Sequence, residues 1–265
     1  MNERKVDVEN NQTFLQVQPV YDKREEYAML AKTEGLAYEV LELSMPPALN
    51  ESGFFVKAFD WYKSSDRVES FHGAFIDINP ASGDEHFAAL SKQRMKASCE
   101  NAVALGAKNI VFHCSCFPFL RGAYIDNWAK AYGDFCLELL EFYNLNIFIE
   151  NSFDVDPTPL KTLMNQIHSE RLRVCLDVGH ANYSRAPIEK WFDELNEYIG
   201  YLHISDNKGL FDDHISILEG SVDWKKISQL WNQLESKTPI TLEINSLSNI
   251  KKAIDYLKAN SLFGL

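Results

Sequence analysis

Eight strands alternating with eight helices, the pattern of a (β/α)₈ TIM barrel, are what the sequence predicts, and three observations lead there. Short β-rich runs alternate with longer helical patterns along all 265 residues. Parallel strands need helical crossovers, and a barrel built from eight such units has a usual length of about 250 residues. Six apolar strands also carry an ionisable residue at or near one end, as expected when several strands converge on one mouth. The same alternation suits a doubly wound open sheet. The polar strand ends favour the barrel, because an open sheet gathers such residues at one switch point rather than around a ring.

The elements follow in order. Residues 13–18 (TFLQVQ) read as the first strand, and 23–33 as a helix with Tyr27, Leu30 and Ala31 on one face. YEVLEL at 38–43 is the second strand, ended by Ser44-Met45-Pro46-Pro47, and 54–62 is helical. FHGAFIDI at 71–78 is the third strand. The helix expected over 85–105 would bury Phe87, Leu90, Met95, Cys99 and Val103, with Gly106 closing it. Strands at 109–114, 146–150, 173–177, 199–204 and 240–244 complete the set. Between and after them come helices at 124–143, 158–168, 187–198, 222–234 and 247–259, with Pro187 in a permitted first-turn position.

Composition narrows the function. At 46% hydrophobic residues the chain can bury a sizeable core, and no Pro/Gly/Ser-rich run marks a linker, so a single domain over 1–265 is expected. A net charge of -12 disfavours a broad surface tracking nucleic-acid phosphates, although a local groove or metal cluster still allows one. MNERKVDVENNQ lacks the apolar core of a signal peptide, and no apolar run is long enough to span a bilayer, so a cytoplasmic protein is expected. Five cysteines at irregular spacing fall mostly on apolar patterns and read as reduced thiols.

Glu150 ends LNIFIE, Asp177 ends RVCLD, His203 stands next to last in YLHI and Glu243 ends ITLE, while His72 and His113 lie on the third and fourth strands. A lone strand-end histidine is commonly a hydrogen-bonded core residue, and a lone acid an N-cap. Six together differ, because buried carboxylates are costly unless paired or metal-bound. DVGH adds His180 beside Asp177, and the loop after His203 presents Asp206, Lys208, Asp212, His214 and Glu219. Imidazole and carboxylate suit a zinc- or manganese-like divalent metal, and Asp212-x-His214 can offer both from one turn. Five of the seven histidines fall in these positions, which leaves His86 and His168 on helical patterns. Cys114 and Cys116 read as packing beside a nitrogen and oxygen donor set.

IENS around Glu150, DVGH at 177–180, HISDNKG from His203, DDHISILEG from Asp212 and LEIN around Glu243 together resemble the xylose isomerase-like TIM-barrel superfamily. That superfamily holds sugar isomerases and epimerases together with the endonuclease IV repair enzymes. The resemblance implies a three-zinc pattern matched by His72, His113, Glu150, Asp177, His180, His203, Asp212, His214 and Glu243. It equally implies a single-metal square of Glu150, Asp177, His203 and Glu243 as in the sugar branch, so one to three ions are expected.

Other features favour the sugar branch. SMPPALN follows the second strand without the arginine of the endonucleases, and Phe75-Ile76 stands at their Tyr-Leu wedge. Gly220-Ser221-Val222-Asp223-Trp224 resembles the G-x-[IV]-D-W of sugar isomerase-like proteins. Leu218, at a usual glycine, and Gly209, at a substrate-binding arginine of ketose 3-epimerases, depart from the pattern. The expectation is therefore a metal-dependent isomerase or epimerase of a small sugar, sugar phosphate or polyol, monomeric or a homo-oligomer, with an endonuclease IV-like phosphodiesterase as the alternative. In the expected enzyme Glu150 and Glu243 are ligand and acid/base, His180 positions a substrate oxygen and Lys208 meets an anionic group.

Overall fold

The computed structural model describes residues 15–234 and 238–265. Its eight strands close into one parallel barrel in chain order, β1 pairing with both β2 and β8. The strands are β1 (Leu15–Val17), β2 (Ala37–Val40), β3 (Val68–His72), β4 (Asn109–His113), β5 (Asn146–Glu150), β6 (Leu172–Asp177), β7 (Ile199–Ile204) and β8 (Ile240–Leu242). The outer helices are α1 (Arg24–Glu34), α2 (Pro46–Asn50), α3 (Ser52–Ser64), α4 (Glu85–Leu105), α5 (Ala123–Phe142), α6 (Thr158–Gln166), α7 (Val178–Tyr183), α8 (Ile188–Leu195), α9 (Trp224–Asn232) and α10 (Leu247–Ala259). Of the expected first strand, Thr13 and Phe14 lie outside the described residues. Among the described residues no helix is long and apolar enough to cross a membrane.

Period-two alternation explains how apolar strands carry a polar centre. One face of each strand, such as Ile147 and Ile149 on β5 or Leu202 and Ile204 on β7, joins the large outer core against the helices. The opposite face points into the barrel, where Val111, Phe148, Cys175 and Tyr201 form a separate buried plug. Two residues further along the same faces come His113, Glu150, Asp177 and His203. Register then sets neighbours side by side: His113 pairs with Glu150, and Asp177 with His203. The polar ring is therefore the top layer of a filled barrel.

Two expectations are corrected. The third strand ends at His72, where the sequence places its beginning. Gly73 explains the break: a Cβ there would lie 2.1 Å from the Phe112 ring, so the backbone turns away from the sheet pressed against β4. On α4, Met95 and Cys99 are buried, but Phe87, Leu90 and Val103 are 39%, 51% and 48% exposed. The buried face instead carries small residues, Ser91, Ser98 and Ala102, which let the helix approach closely. Ser98 Oγ accepts from the Ala74 amide and Ser91 Oγ from the Asn79 amide, tying α4 to the β3–α4 loop. All five cysteines are buried free thiols.

Candidate metal centre

Glu150 is fully buried at the end of β5, with imidazoles on every side. His72 Nε2 is 3.3 Å and His113 Nε2 3.5 Å from its Oε2, and the Nδ1 atoms of His180 and His203 are each 3.3 Å from its Oε1. None of these nitrogens is aligned to donate, so both Glu150 oxygens lack a hydrogen bond, as do Asp177 Oδ2 and His203 Nδ1. Four buried, unpartnered donor atoms facing one point carry a desolvation cost that a cation would relieve. One donor atom each from Glu150, Asp177, His203 and Glu243 lies within 4.8 Å of the others. Three oxygens and one imidazole nitrogen fit a divalent cation such as zinc or manganese.

Electrostatics describe the same strain. Burial alone would raise the Glu150 carboxyl, yet the surrounding histidines, His203 foremost, hold it well below the ordinary range. Asp177 has less support. Burial pushes its carboxyl up to about 7, with the nearby charges of Glu243 and Glu150 adding to the rise. Burial pulls His113 down to about 3. His203 and His180 run against their burial and are raised by surrounding acids. In effect, protons occupy the place where a cation would balance the acids.

Glu39, fully buried on β2, was not among the expected site residues. Its Oε2 accepts from His203 Nε2 at 3.0 Å, Tyr201 Oη at 2.7 Å and Thr241 Oγ1 at 3.0 Å, and its Oε1 accepts from Gln18 Nε2 at 2.8 Å. Burial would raise the carboxyl, but His203, His72 and the Tyr201 hydroxyl bring it down to about 2, so it is an anion. It therefore anchors the Nε2–H of His203 and leaves Nδ1 as the ring atom facing Glu150 and Glu243, the atom that a cation would meet once its proton is displaced. Gln18 also donates to Glu243 Oε1, linking β1 to the residue just past β8.

A second group stands further out. His180 Nδ1 donates to the Asn151 carbonyl at 2.7 Å, and its Nε2 lies 3.2 Å from Asp212 Oδ2; His214 Nε2 reaches the same oxygen at 3.1 Å. Asn151 also brackets the Asp177 backbone, fastening β5 to β6. His214 has φ 46° and thus sits in the left-handed region, which a non-glycine residue adopts at a backbone cost. The loop is held there by paired backbone bonds between Asp206 and Ile215.

Asp206 belongs to that support. It is buried and accepts from the Asn207 and Val222 amides and from Trp224 Nε1, with Gly220 packed so close that a Cβ would clash. Lys208 and Glu219 are exposed. The structure thus brings together His72, His113, Glu150, Asp177, His180, His203, Asp212, His214 and Glu243. Around the inner four, His72 and His113 form a three-donor group that shares Glu150 with them, and His180, Asp212 and His214 form one that shares none.

Comparison with known proteins fits this geometry. A family model described as xylose isomerase-like TIM barrel matches residues 8–260. The uncharacterized protein MJ1311 of Methanocaldococcus jannaschii is 27% identical over 201 residues, which cover 71% of this chain and 68% of that protein. A solved protein from Thermus thermophilus, TTHB071, soaked with ZnCl2, superposes with a TM-score of 0.73 at 22% identity over 92% of this chain and 96% of its own. A D-tagatose 3-epimerase-like protein gives a TM-score of 0.70 at 22% identity, covering 93% and 96%. Identities this low establish likeness of fold, whereas the family match spans nearly the whole sequence. The chain belongs to the xylose isomerase-like TIM barrel family.

Proposed function

We propose that this chain, as one domain, is a divalent-metal-dependent isomerase or epimerase that moves a carbon-bound proton in a small sugar, sugar phosphate or related polyol. The observation that carries the reading is a pair of carboxylates on either side of one imidazole nitrogen. Glu150 Oε1 is 3.3 Å and Glu243 Oε1 3.1 Å from His203 Nδ1. A D-tagatose 3-epimerase-like protein among the structural neighbours supports the substrate class, and a zinc-soaked neighbour supports the metal.

Glu150, Asp177, His203 and Glu243 would hold the cation, which when bound polarises a carbonyl and the neighbouring hydroxyl. Glu150 and Glu243 supply the acid/base work from opposite sides of the substrate carbon. Glu150 is poised as a base, since the histidines keep it ionised. Glu243, 6% exposed, is the more open of the two. His180 positions a substrate oxygen: its Nδ1 is anchored on the Asn151 carbonyl, and its Nε2 contact is with an exposed carboxylate that a substrate oxygen can replace. Lys208, on the rim, would meet an anionic substituent.

A second reading, a zinc phosphodiesterase of the endonuclease IV kind, is favoured by the two additional three-donor groups. The net charge of -12 and the missing arginine after β2 weigh against a DNA grip. One experiment separates them. Metal-loaded protein is incubated with a sugar panel in heavy water, loss of carbon-bound proton signals is followed, and an abasic-site duplex is run alongside. Exchange into a sugar that disappears in Glu150→Gln and Glu243→Gln is expected. Efficient duplex cleavage lost in Glu243→Gln, with no exchange into any sugar, would overturn the proposal.

A further inference from the structure

A pocket of about 640 Å³ lies at the flank of the barrel mouth, where the β4–α5 loop, the β5–α6 loop and the α7–α8 connection meet. It grows from the segments that carry the metal centre: Cys116 follows His113, Asp154 follows Glu150 and Arg185 follows His180 by three to five residues each. The buried contact between Cys114 Sγ and Asp154 Oδ1 ties the first two of these loops together.

Its lining combines two chemistries. Phe117 and Phe119 are 65% and 62% exposed and both line the cavity, so their rings are open to a bound apolar group. Arg121, Arg185 and Lys190 line the same space. The Arg185 guanidinium lies over the Phe119 ring, 4.6 Å from its centre, so cation and aromatic face are presented together.

Among the described residues, neither Arg121 nor Arg185 forms an ion pair, and Lys190 reaches Glu194 only at 3.7 Å. The two acids of the lining are hydrogen-bonded by their own loop, and Asp156 also feels the charges of Lys190 and Arg121. Asp154 accepts from the Ser152 amide and the Cys114 thiol, and Asp156 accepts from the Thr158 amide. Three cations against two acids leave the lining with a small positive excess in a chain of net charge -12. The β4–α5 loop also holds two non-glycine residues in the left-handed region, Ser115 at φ 54° and Phe119 at φ 66°. A plain connection avoids that backbone cost, and such outliers gather where a loop is shaped for a ligand.

We propose that this pocket is a second binding site, for a small molecule in which a phosphate-type anion is joined to a flat apolar group. Arg121, Arg185 and Lys190 hold the anion, with Arg matching phosphate geometry through paired donors, and Phe117 and Phe119 cover the apolar part. The site is independent of the reaction proposed above, because nothing in its lining is a metal-facing residue.

The test uses the full chain and three probes: phenyl phosphate, inorganic phosphate and phenol, titrated by calorimetry or ligand-observed NMR. Phenyl phosphate is expected to bind saturably and at least about tenfold more tightly than either fragment, since each meets only half the site. Arg121→Ala with Arg185→Ala should weaken it by about tenfold, and Phe119→Ala by a smaller factor. Divalent-metal uptake should be unchanged in these variants, and Glu150→Gln should leave phenyl phosphate binding unchanged. Absence of saturable binding in the millimolar range, or binding that the double arginine variant keeps, would overturn the site. So would binding lost in Glu150→Gln, which would place the probe at the metal centre, or phenol binding as tightly as phenyl phosphate, which would reduce the pocket to an apolar surface.

Discussion

Two clusters of donors share the barrel mouth and are built on opposite terms. The inner one, Glu150, Asp177, His203 and Glu243, comes from the ends of four strands and is almost wholly buried, with four donor atoms that find no hydrogen-bond partner. The outer one, His180, Asp212 and His214, depends largely on a loop, and its groups answer one another: both imidazoles turn to the single Asp212 oxygen, and Asp212 is exposed. Fixed geometry with unmet donors is an arrangement that a cation would relieve, whereas a self-satisfied, half-solvated triad needs no such relief. The comparison therefore ranks the two sites and says which mutations should be severe.

The largest effect is expected at the inner cluster. Glu150→Gln keeps the shape and removes the charge, and should lower divalent-metal affinity by more than about 100-fold, beyond the range typical of supporting residues alone. His214→Ala, in the outer cluster, should cost less than about tenfold. Competition against a chelator of known affinity measures both. Equal losses would erase the distinction.

Glu39→Gln comes next. Losing the anion that accepts the His203 Nε2 proton frees the ring to change tautomer, and metal affinity should fall by about 10- to 100-fold with the four donors still present. Tyr201→Phe, which removes one donor to Glu39 but leaves its charge, should do less. If Glu39→Gln binds metal as the parent does, the layer beneath the inner site is packing only.

Proton linkage gives a third, intermediate effect. Asp177, raised from 3.8 to about 7, binds its proton more tightly in the folded chain, so it costs stability as pH rises through that interval. His180 and His203, raised above 6.5, and His214, raised to about 9, contribute stability below about 6.5 that is lost as pH climbs through their folded values. Glu150, Glu39 and Asp212 are depressed, so their contribution is present above about 4 and is lost on acidification. His113, depressed to about 3, costs stability below about 6.5 and so offsets Asp177 there; chelator-treated protein should thus lose thermal stability mainly from about pH 6.5 to pH 9. A cation replaces those protons, so the rise in Tm on adding metal should grow over the same range. A metal-induced shift independent of pH would contradict the reading of the inner cluster.

How much of this was legible in the sequence follows from what each position depends on. Strand β7 and helices α4 and α10 were readable to the residue, because local periodicity, with Gly106 closing α4, defines them. The strand-end residues were legible because a carboxylate or imidazole closing an apolar run is locally out of place. Glu39 was not, since in YEVLEL it reads as the polar half of an alternating strand. Its partners His203 and Thr241 lie 164 and 202 residues away and meet it only when the barrel closes. The third strand was misplaced for a related reason: FIDI continues the alternation, and only the packing of Gly73 on Phe112 shows the chain leaving the sheet at His72. Asp206 looked like its loop neighbours and proved to be the loop's anchor, a distinction that depends on Trp224 folding back over it.

The smallest effect is expected at the exposed acid. Asp212→Asn removes ion pairs to His180 and His214 at a solvent-facing position, and should change the thermal stability of chelator-treated protein by less than about 1 kcal/mol. A loss several times larger would mean that the outer cluster is as strained as the inner one.

Where the first bound ion sits tests the central claim most directly. Crystals of protein loaded with one equivalent of zinc and measured at the zinc absorption edge should show one anomalous peak. It should lie about 2.0–2.2 Å from oxygens of Glu150, Asp177 and Glu243 and from Nδ1 of His203. A peak held by His180, Asp212 and His214 with the inner four left bare, or protein that takes up no zinc at all, would contradict the account.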